Sequence, residues 1–299
     1  MMKRVAIVGG SGFIGTHTAR ELTDHGHDVT VVDLVAPKDK NLRFVQADVS
    51  VYEQALEALA GNYDVVYMLA AISDSSENLS KPVTAVSTNI QALTNVLYVM
   101  KMLNIPKIVF SSTVWVYSVC EQTEVNEDTP LPITSSNHIY TTCKLTCESL
   151  IRNFQNISNI KYTIFRYGIA YGPGCHPDTV VSKFLTNAIN NQPLVITGGG
   201  NIYRNFLYVK DHARGNRMAL NSSTDNQTIN LEGPEQITIQ QVADTVSRMH
   251  GDVDIIKCDE RVGDYRGKIV SSAKAYNLMG WKPTVMFTQG MSEMYDHMT

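Results

Sequence analysis

"VAIVGGSGFIG", residues 5–15, runs a short apolar stretch straight into a glycine loop and then into a helical pattern. Gly9, Gly12 and Gly15 follow a GxxGxxG spacing. Glycine serves three needs there: a tight turn without a Cβ, close approach of the backbone to a pyrophosphate, and close packing of the helix on the strand. The helix N-terminus faces the anion. Glycine spacing alone is weak evidence. Placed after a first strand and before a first helix, it predicts a dinucleotide-binding βαβ unit.

Residues further on repeat the same grammar. "DVTVVD", "RFVQA", "DVVYML", "KIVFSS" and "KYTIFRY" read as strands. Helical patterns occupy residues 13–25, 51–60, 82–103 and 138–156. This alternation predicts an α/β fold, a Rossmann-type doubly wound parallel sheet. In the long helix over 82–103, Val83, Val86, Ile90, Leu93 and Leu97 recur at helical spacing and are expected to form one packed face. From Gly168 the texture changes to loops rich in Gly, Pro and Asn, with helices near 179–190, 211–220 and 238–250. We expect a nucleotide-binding domain over 1–167 and a smaller α/β substrate lobe over 168–299. The chain is expected to cross back to the sheet near 228–233. A cleft between the two is the expected ligand site.

Composition narrows the function. The chain has 299 residues, 43% of them hydrophobic, and a formal charge of −4. That is enough apolar content for a sizeable core, and it leaves no basic footprint for nucleic acid. No apolar stretch is long enough to cross a bilayer and the N-terminus lacks a signal-peptide pattern, so no membrane partner and a cytoplasmic location are expected. The five cysteines, at 120, 143, 147, 175 and 258, form no CxxC pair. Neither a disulfide framework nor a metal site is indicated, and the thiols read as small packing residues.

Asp33 ends the second strand, where a carboxylate accepts hydrogen bonds from an adenosine ribose and repels a 2′-phosphate; this favours NAD over NADP. Lys38 and Lys40 nearby argue mildly the other way. "HIYTTCK", residues 138–144, puts Tyr140 and Lys144 four apart on one helical face. An ammonium beside a phenol favours the phenolate, as a proton-transfer catalyst requires. Taken alone, Y-x-x-x-K also fits an ordinary solvated face. "FSSTVWVYS" ends the preceding strand, however, and offers Ser111, Ser112 and Thr113 at the carboxyl edge of the sheet, where open α/β folds bind ligands.

In order, these motifs, with "MLAA" at 68–71, "RYGIAYGPG", "RNFLYVKD" and "GWKP" at 280–283, resemble the extended short-chain dehydrogenase/reductase family, in its branch of NAD-dependent nucleotide-sugar epimerases and dehydratases. The resemblance spans nearly the whole chain. It implies that Gly9, Gly12, Phe13, Ile14, Gly15 and Asp33 hold NAD, that Asp48 and Val49 border the adenine, and that Leu69, Ala70, Ala71, Ser111 and Tyr167 line the dinucleotide. It implies Tyr140 as the acid/base, Lys144 as the residue that binds the nicotinamide ribose and tunes Tyr140, and Thr113 as the partner hydroxyl. Thr113, Val114, Arg204 and Arg266 would meet the substrate, the arginines through its diphosphate. It further implies a homodimer built on the helices carrying residues 82–103 and Tyr140.

The positions after Thr113 point to a reaction. Dehydratases of this branch carry an Asp-Glu pair there and decarboxylases a Glu; this chain has Val114 and Trp115, which transfer no proton. The simplest completion is epimerisation, with C4 of a UDP-hexose the leading choice. A nucleotide-sugar reductase or dehydratase and a non-catalytic dinucleotide-binding regulator stand as alternatives. Ile169 replaces an asparagine that usually touches the sugar phosphate, Trp115 a small residue and Ser118 a glycine, so the pocket is expected to differ in shape.

Overall fold

The computed structural model describes residues 1–132, 136, 138–258 and 267–299. In chain order the first half contains β1 (Arg4–Val8), α1 (Phe13–Asp24), β2 (Asp28–Asp33), β3 (Arg43–Gln46), α2 (Tyr52–Ala58), β4 (Val65–Met68), α3 (Ser75–Ser80), α4 (Pro82–Val86), α5 (Ala92–Met102), β5 (Lys107–Thr113), β6 (Glu124–Val125), α6 (Ile139–Ser158) and β7 (Lys161–Tyr167). The second half adds β8 (Ile169–Tyr171), α7 (Val180–Ile189), β9 (Leu194–Thr197), β10 (Tyr203–Tyr208), α8 (Val209–Met218), β11 (Gln227–Leu231), β12 (Gln236–Thr238), α9 (Ile239–His250), β13 (Ile255–Cys258), β14 (Ile269–Val270), α10 (Ala273–Met279) and α11 (Phe287–Met298).

Seven parallel strands form the main sheet in the order β11-β7-β5-β4-β1-β2-β3. Strands such as VVYM and KIVFSST are buried along their whole length because helices cover both faces of the sheet. On one face α2, α5 and α6 pack through Ala55, Leu93, Val96, Leu97 and Ile151; on the other α1, α8 and α10 pack through Ala19, Leu22, Ala219 and Ala275, with Trp281 beneath them. The order of strands reverses between β1 and β4, and the glycine loop opens at that switch point, as the carboxyl-edge rule requires.

β11 returns the chain to the main sheet, pairing Ile229 with Phe165 and Leu231 with Tyr167. Of the remaining second-half strands, three make a small sheet, β12-β10-β8, β9 pairs with β13, and β14 pairs with β6 from the first half. Tyr171, Phe206, Tyr208 and Phe287 form an aromatic core there, with centroids 5.1–5.9 Å apart. Among the described residues no helix is long and apolar enough to cross a membrane.

The helix expected over 82–103 is present from Pro82 to Met102, and its one packed face is corrected. A π-helical turn, Ser87–Gln91, separates α4 from α5. A π turn rotates the residues on either side of it relative to an unbroken 3.6 repeat, so the five expected core positions do not share one face. Leu93 and Leu97 are fully buried, whereas Val83 is 83% and Val86 44% exposed. The turn also puts Asn89 to use: its side chain accepts from Ile72 N–H and donates to Ile72 O, both at 3.1 Å, fixing the loop that follows β4. Its carbonyl accepts the Cys147 thiol at 3.1 Å. All five cysteines are free.

Candidate active site

A cavity of about 860 Å³ lies along the carboxyl edge of the main sheet, from Asp33 and Asp48 at one end to Tyr140, Trp115 and His138 at the other. At its floor the glycine loop is built for close approach. Gly9 adopts φ +83°, and a Cβ there would sit 2.4 Å from the backbone nitrogen of Ala70. A Cβ on Gly15 would meet the carbonyl oxygen of Gly9 at 2.2 Å, which is how closely α1 rests on the loop. Gly12 caps α1 with no side chain over its first turn, so the N-terminal N–H groups face the cavity. Asp33 does more than await a ribose: its Oδ2 accepts Ser11 N–H at 3.0 Å and its Oδ1 accepts Val35 N–H at 3.3 Å. Asp48 Oδ1 accepts both the N–H and the hydroxyl of Ser50, at 2.9 and 2.7 Å, which sets Val49 against the cavity.

Phe13, Ile14, Leu69, Ala70, Ala71, Ser111 and Tyr167 line the same space. The Ser111 hydroxyl donates to Met68 O at 3.2 Å, tying β5 to β4. Tyr167 donates to Asn216 Oδ1 at 2.5 Å. A groove bounded by glycines, with helix N–H groups at its middle and a carboxylate at its adenosine end, fits a dinucleotide.

At the opposite end three expected residues converge. Thr113 closes β5, its Oγ1 accepting Trp115 N–H at 3.2 Å. Tyr140 stands in the first turn of α6, half-buried, and Lys144 lies one turn on, 2% exposed. Lys144 Nζ donates to Ser111 O at 2.6 Å and sits 5.5 Å from the centre of the Tyr140 ring. Burial dominates the electrostatics of this pair. Burial pushes the Tyr140 hydroxyl well above the usual tyrosine range, and it pulls Lys144 down to about 8, with Cys147, Cys143 and Glu148 opposing that fall. Desolvation is the largest cause for both groups.

Beneath this pair lies a buried network that the sequence reading passed over. Glu148 accepts Arg166 Nε and Nη2 at 3.0 and 2.8 Å, the Ser112 hydroxyl at 2.7 Å and Arg152 Nη2 at 3.0 Å. Arg166 also donates to the Tyr117 hydroxyl, which donates to Asn230 Oδ1. Burial pushes the Glu148 carboxyl up, and the hydrogen bonds and charge of Arg166 more than offset that, so it stays below the usual carboxylate range. The network joins α6 to the ends of β5, β7 and β11. A signal was present, since Glu148 stands four residues after Lys144, but only the fold shows that Arg166 faces it.

The substrate residues divide. Val114 is 3% exposed and packs among Val116, Tyr117 and Val125 instead of lining the cavity. Trp115 does line it, beside His138, Cys175 and Thr179, which sequence reasoning did not single out. Ile169 also faces the cavity. Arg204 lies on β10, outside the cavity lining, where its Nη1 donates to Tyr203 O at 3.0 Å. Arg266 lies outside the described residues.

Comparison with known proteins bears on this geometry. Residues 5–231 match the model of a family described as the NAD dependent epimerase/dehydratase family. The chain belongs to that family. Its cofactor is accordingly NAD, which suits the glycine groove and Asp33. It is 29% identical to a putative UDP-glucose 4-epimerase of Methanocaldococcus jannaschii over 98% of both chains. Among solved structures it resembles a UDP-glucose 4-epimerase of Thermotoga maritima with UDP-glucose, at a TM-score of 0.92 and 25% identity over 99% of this chain and 98% of that one. It also resembles a Thermus thermophilus UDP-glucose 4-epimerase in complex with NAD, at 0.85 and 26% identity over 98% of each.

Proposed function

We infer that the protein is an NAD-dependent epimerase that inverts C4 of a UDP-hexose. The observation that carries the reading is the convergence of Thr113, Tyr140 and Lys144 at one end of the dinucleotide cavity, where the two positions after Thr113 present a buried isopropyl group and an indole. Bound NAD supplies a hydride acceptor that can also give the hydride back. Tyr140 takes the proton of the reacting hydroxyl and later returns it; Thr113 orients that hydroxyl; Lys144, anchored to Ser111 O, favours the ionised tyrosine and meets the nicotinamide ribose. Elimination of water or loss of a carboxylate calls for an acidic side chain beside the ring, and among the described residues the cavity is lined by no carboxylate besides Asp33 and Asp48. Arg204 and Arg266 are proposed to approach the diphosphate from the second lobe.

The test uses UDP-glucose and UDP-galactose deuterated at C4. The expected product is the C4 epimer with label retained, no solvent deuterium at C5 and no net NADH. A 6-deoxy-4-keto product, or stoichiometric consumption of NAD(P)H, would overturn the assignment.

The same reading includes a homodimer. Leu79, Val83 and Val86 expose apolar side chains on α3 and α4, beside α6, a face suited to its own copy. Light scattering at micromolar concentration is expected to give twice the mass of 33.2 kDa, and a monomer would refute it. Five free thiols suit a reducing, cytoplasmic setting.

A further inference from the structure

The helix whose N-terminus faces the dinucleotide groove, α1, also holds the loop that leads from β8 to α7. His17 Nε2 donates to the carbonyl oxygen of Pro173 at 3.0 Å, joining positions 156 residues apart in the chain. One turn earlier on α1, Phe13 meets the His17 ring edge-on, with centroids 5.7 Å apart at 88°, and its Cδ2 lies 4.0 Å from where a Cβ on Gly174 would sit. Two neighbouring side chains of α1 thus face the same short piece of loop. A proline carbonyl only accepts, so this bond places the imidazole proton on Nε2. Burial lowers the His17 pKa from its ordinary 6.5, against the opposing effect of the Pro173 carbonyl, and the ring is neutral at neutral pH.

Gly172 and Gly174 flank Pro173 with φ of +142° and +88°, a backbone that glycine enters and leaves at little steric cost. Further on, Cys175 N–H donates to Gly172 O at 3.1 Å, and the N–H and hydroxyl of Thr179 donate to His176 O at 3.1 and 2.9 Å. Those bonds lie within the loop and shape it; the His17 bond ties that shape to the nucleotide-binding half. Cys175, His176 and Thr179 all line the cavity, as does Phe13.

We propose that His17 is a positioning residue that pins the loop over 172–179 to α1, so that the wall offered to the nucleotide sugar is seated beforehand on the helix that receives the dinucleotide. The proposal rests on the reading that this cavity takes NAD and a UDP-sugar. A wall that samples several placements binds with an affinity reduced by the fraction of time it spends in the receptive one. One hydrogen bond is worth up to about tenfold in such a fraction.

The experiment compares the native protein with His17→Phe and His17→Gln, each loaded with NAD, by calorimetry with UDP-glucose and by hydrogen exchange at the Cys175 amide before UDP-glucose is added. His17→Phe keeps an aromatic ring beside Phe13 and loses the donor. Its Kd for UDP-glucose is expected to rise about fivefold to tenfold, and exchange at Cys175 to quicken. His17→Gln, whose amide can donate to the same carbonyl, is expected to recover much of both. His17→Ala, which only shortens the side chain, carries the same expectations as His17→Phe should the larger ring not be accommodated. A residue that merely stabilised the fold would lower the unfolding temperature and leave the Kd of the folded protein where it was. If the native protein binds UDP-glucose, an unchanged Kd in His17→Phe, unchanged exchange at Cys175, or a His17→Gln no better than His17→Phe would each overturn the proposal and leave the reading of the cavity intact. A native protein that binds no UDP-glucose would overturn that reading and the proposal together. Neither measurement needs turnover, so a protein that passes both and inverts no sugar would sink the epimerase reading alone.

Discussion

Lys144 holds its ammonium 2.6 Å from the carbonyl oxygen of Ser111, with the Tyr140 ring 5.5 Å away. The lysine thus ties α6 to the end of β5 while presenting its charge toward the tyrosine. Burial raises the tyrosine pKa, so the rate is expected to rise toward alkaline pH as Tyr140 ionises. Lys144→Met removes the ammonium that stands 5.5 Å from the tyrosine ring. Turnover at neutral pH should fall by about 10²-fold or more, and the alkaline rise should move to higher pH. A pH–rate series on both proteins checks this; a lower rate with an unmoved profile would leave Lys144 only a positioning role.

Asp33 holds the glycine loop through Ser11 N–H. Asp33→Ala should weaken NAD binding about tenfold, narrow the preference over NADP, and speed hydrogen exchange at the Ser11 amide even without cofactor. The exchange measurement separates loop anchoring from ribose contact. Unchanged exchange would confine Asp33 to the ribose.

Glu148 is 1% exposed and faces Arg166, itself 3% exposed. Removing one partner of such a pair strands the other charge, so Glu148→Ala should cost about 3–5 kcal/mol in urea unfolding. Glu148→Ala combined with Arg166→Met should cost less than the two single changes summed, since neither charge is then left alone. Additive losses would mean that the network is not a unit.

Glu232 is 4% exposed, and burial pushes its carboxyl up to about 8, opposed only by the N–H of Gly233. A raised folded-state value means that the stability tied to the protonated form is fully present below about pH 4.5, the unfolded value, and is lost as pH rises through about 8. Glu232→Gln should remove this slope and make the protein more stable than the native one at pH 9. Thermal unfolding from pH 5 to 9 reads the difference, and parallel curves would contradict it.

Much of the fold was legible because parallel strands buried on both faces must be written in long apolar runs, and those runs end where glycines and hydroxyl residues begin. The glycine loop, Asp33, Thr113, Tyr140 and Lys144 each sit at a sequence position whose geometry the strand-turn-helix order dictates. The packed face of the helix over 82–103 differs from expectation because periodicity assumes 3.6 residues per turn, and one π turn shifts the register after Val86. Val114 looked like a pocket residue because it follows Thr113; the tight turn capped by Thr113 Oγ1 sends it into the core. His138 and the partnership of Glu148 with Arg166 depend on elements distant in sequence, which no local pattern records.

The seat of β11 at the edge of the main sheet has a consequence for synthesis. Until residue 231 has emerged, β7 presents an open edge of unpaired backbone groups, and Phe165 and Tyr167 lack the Ile229 and Leu231 that close over them. A chain stopped at the end of β7 therefore carries a sticky border. The strand that seals this border, β11, begins about sixty residues after β7 ends, so an order of synthesis that leaves the edge uncovered for that length is built into the chain.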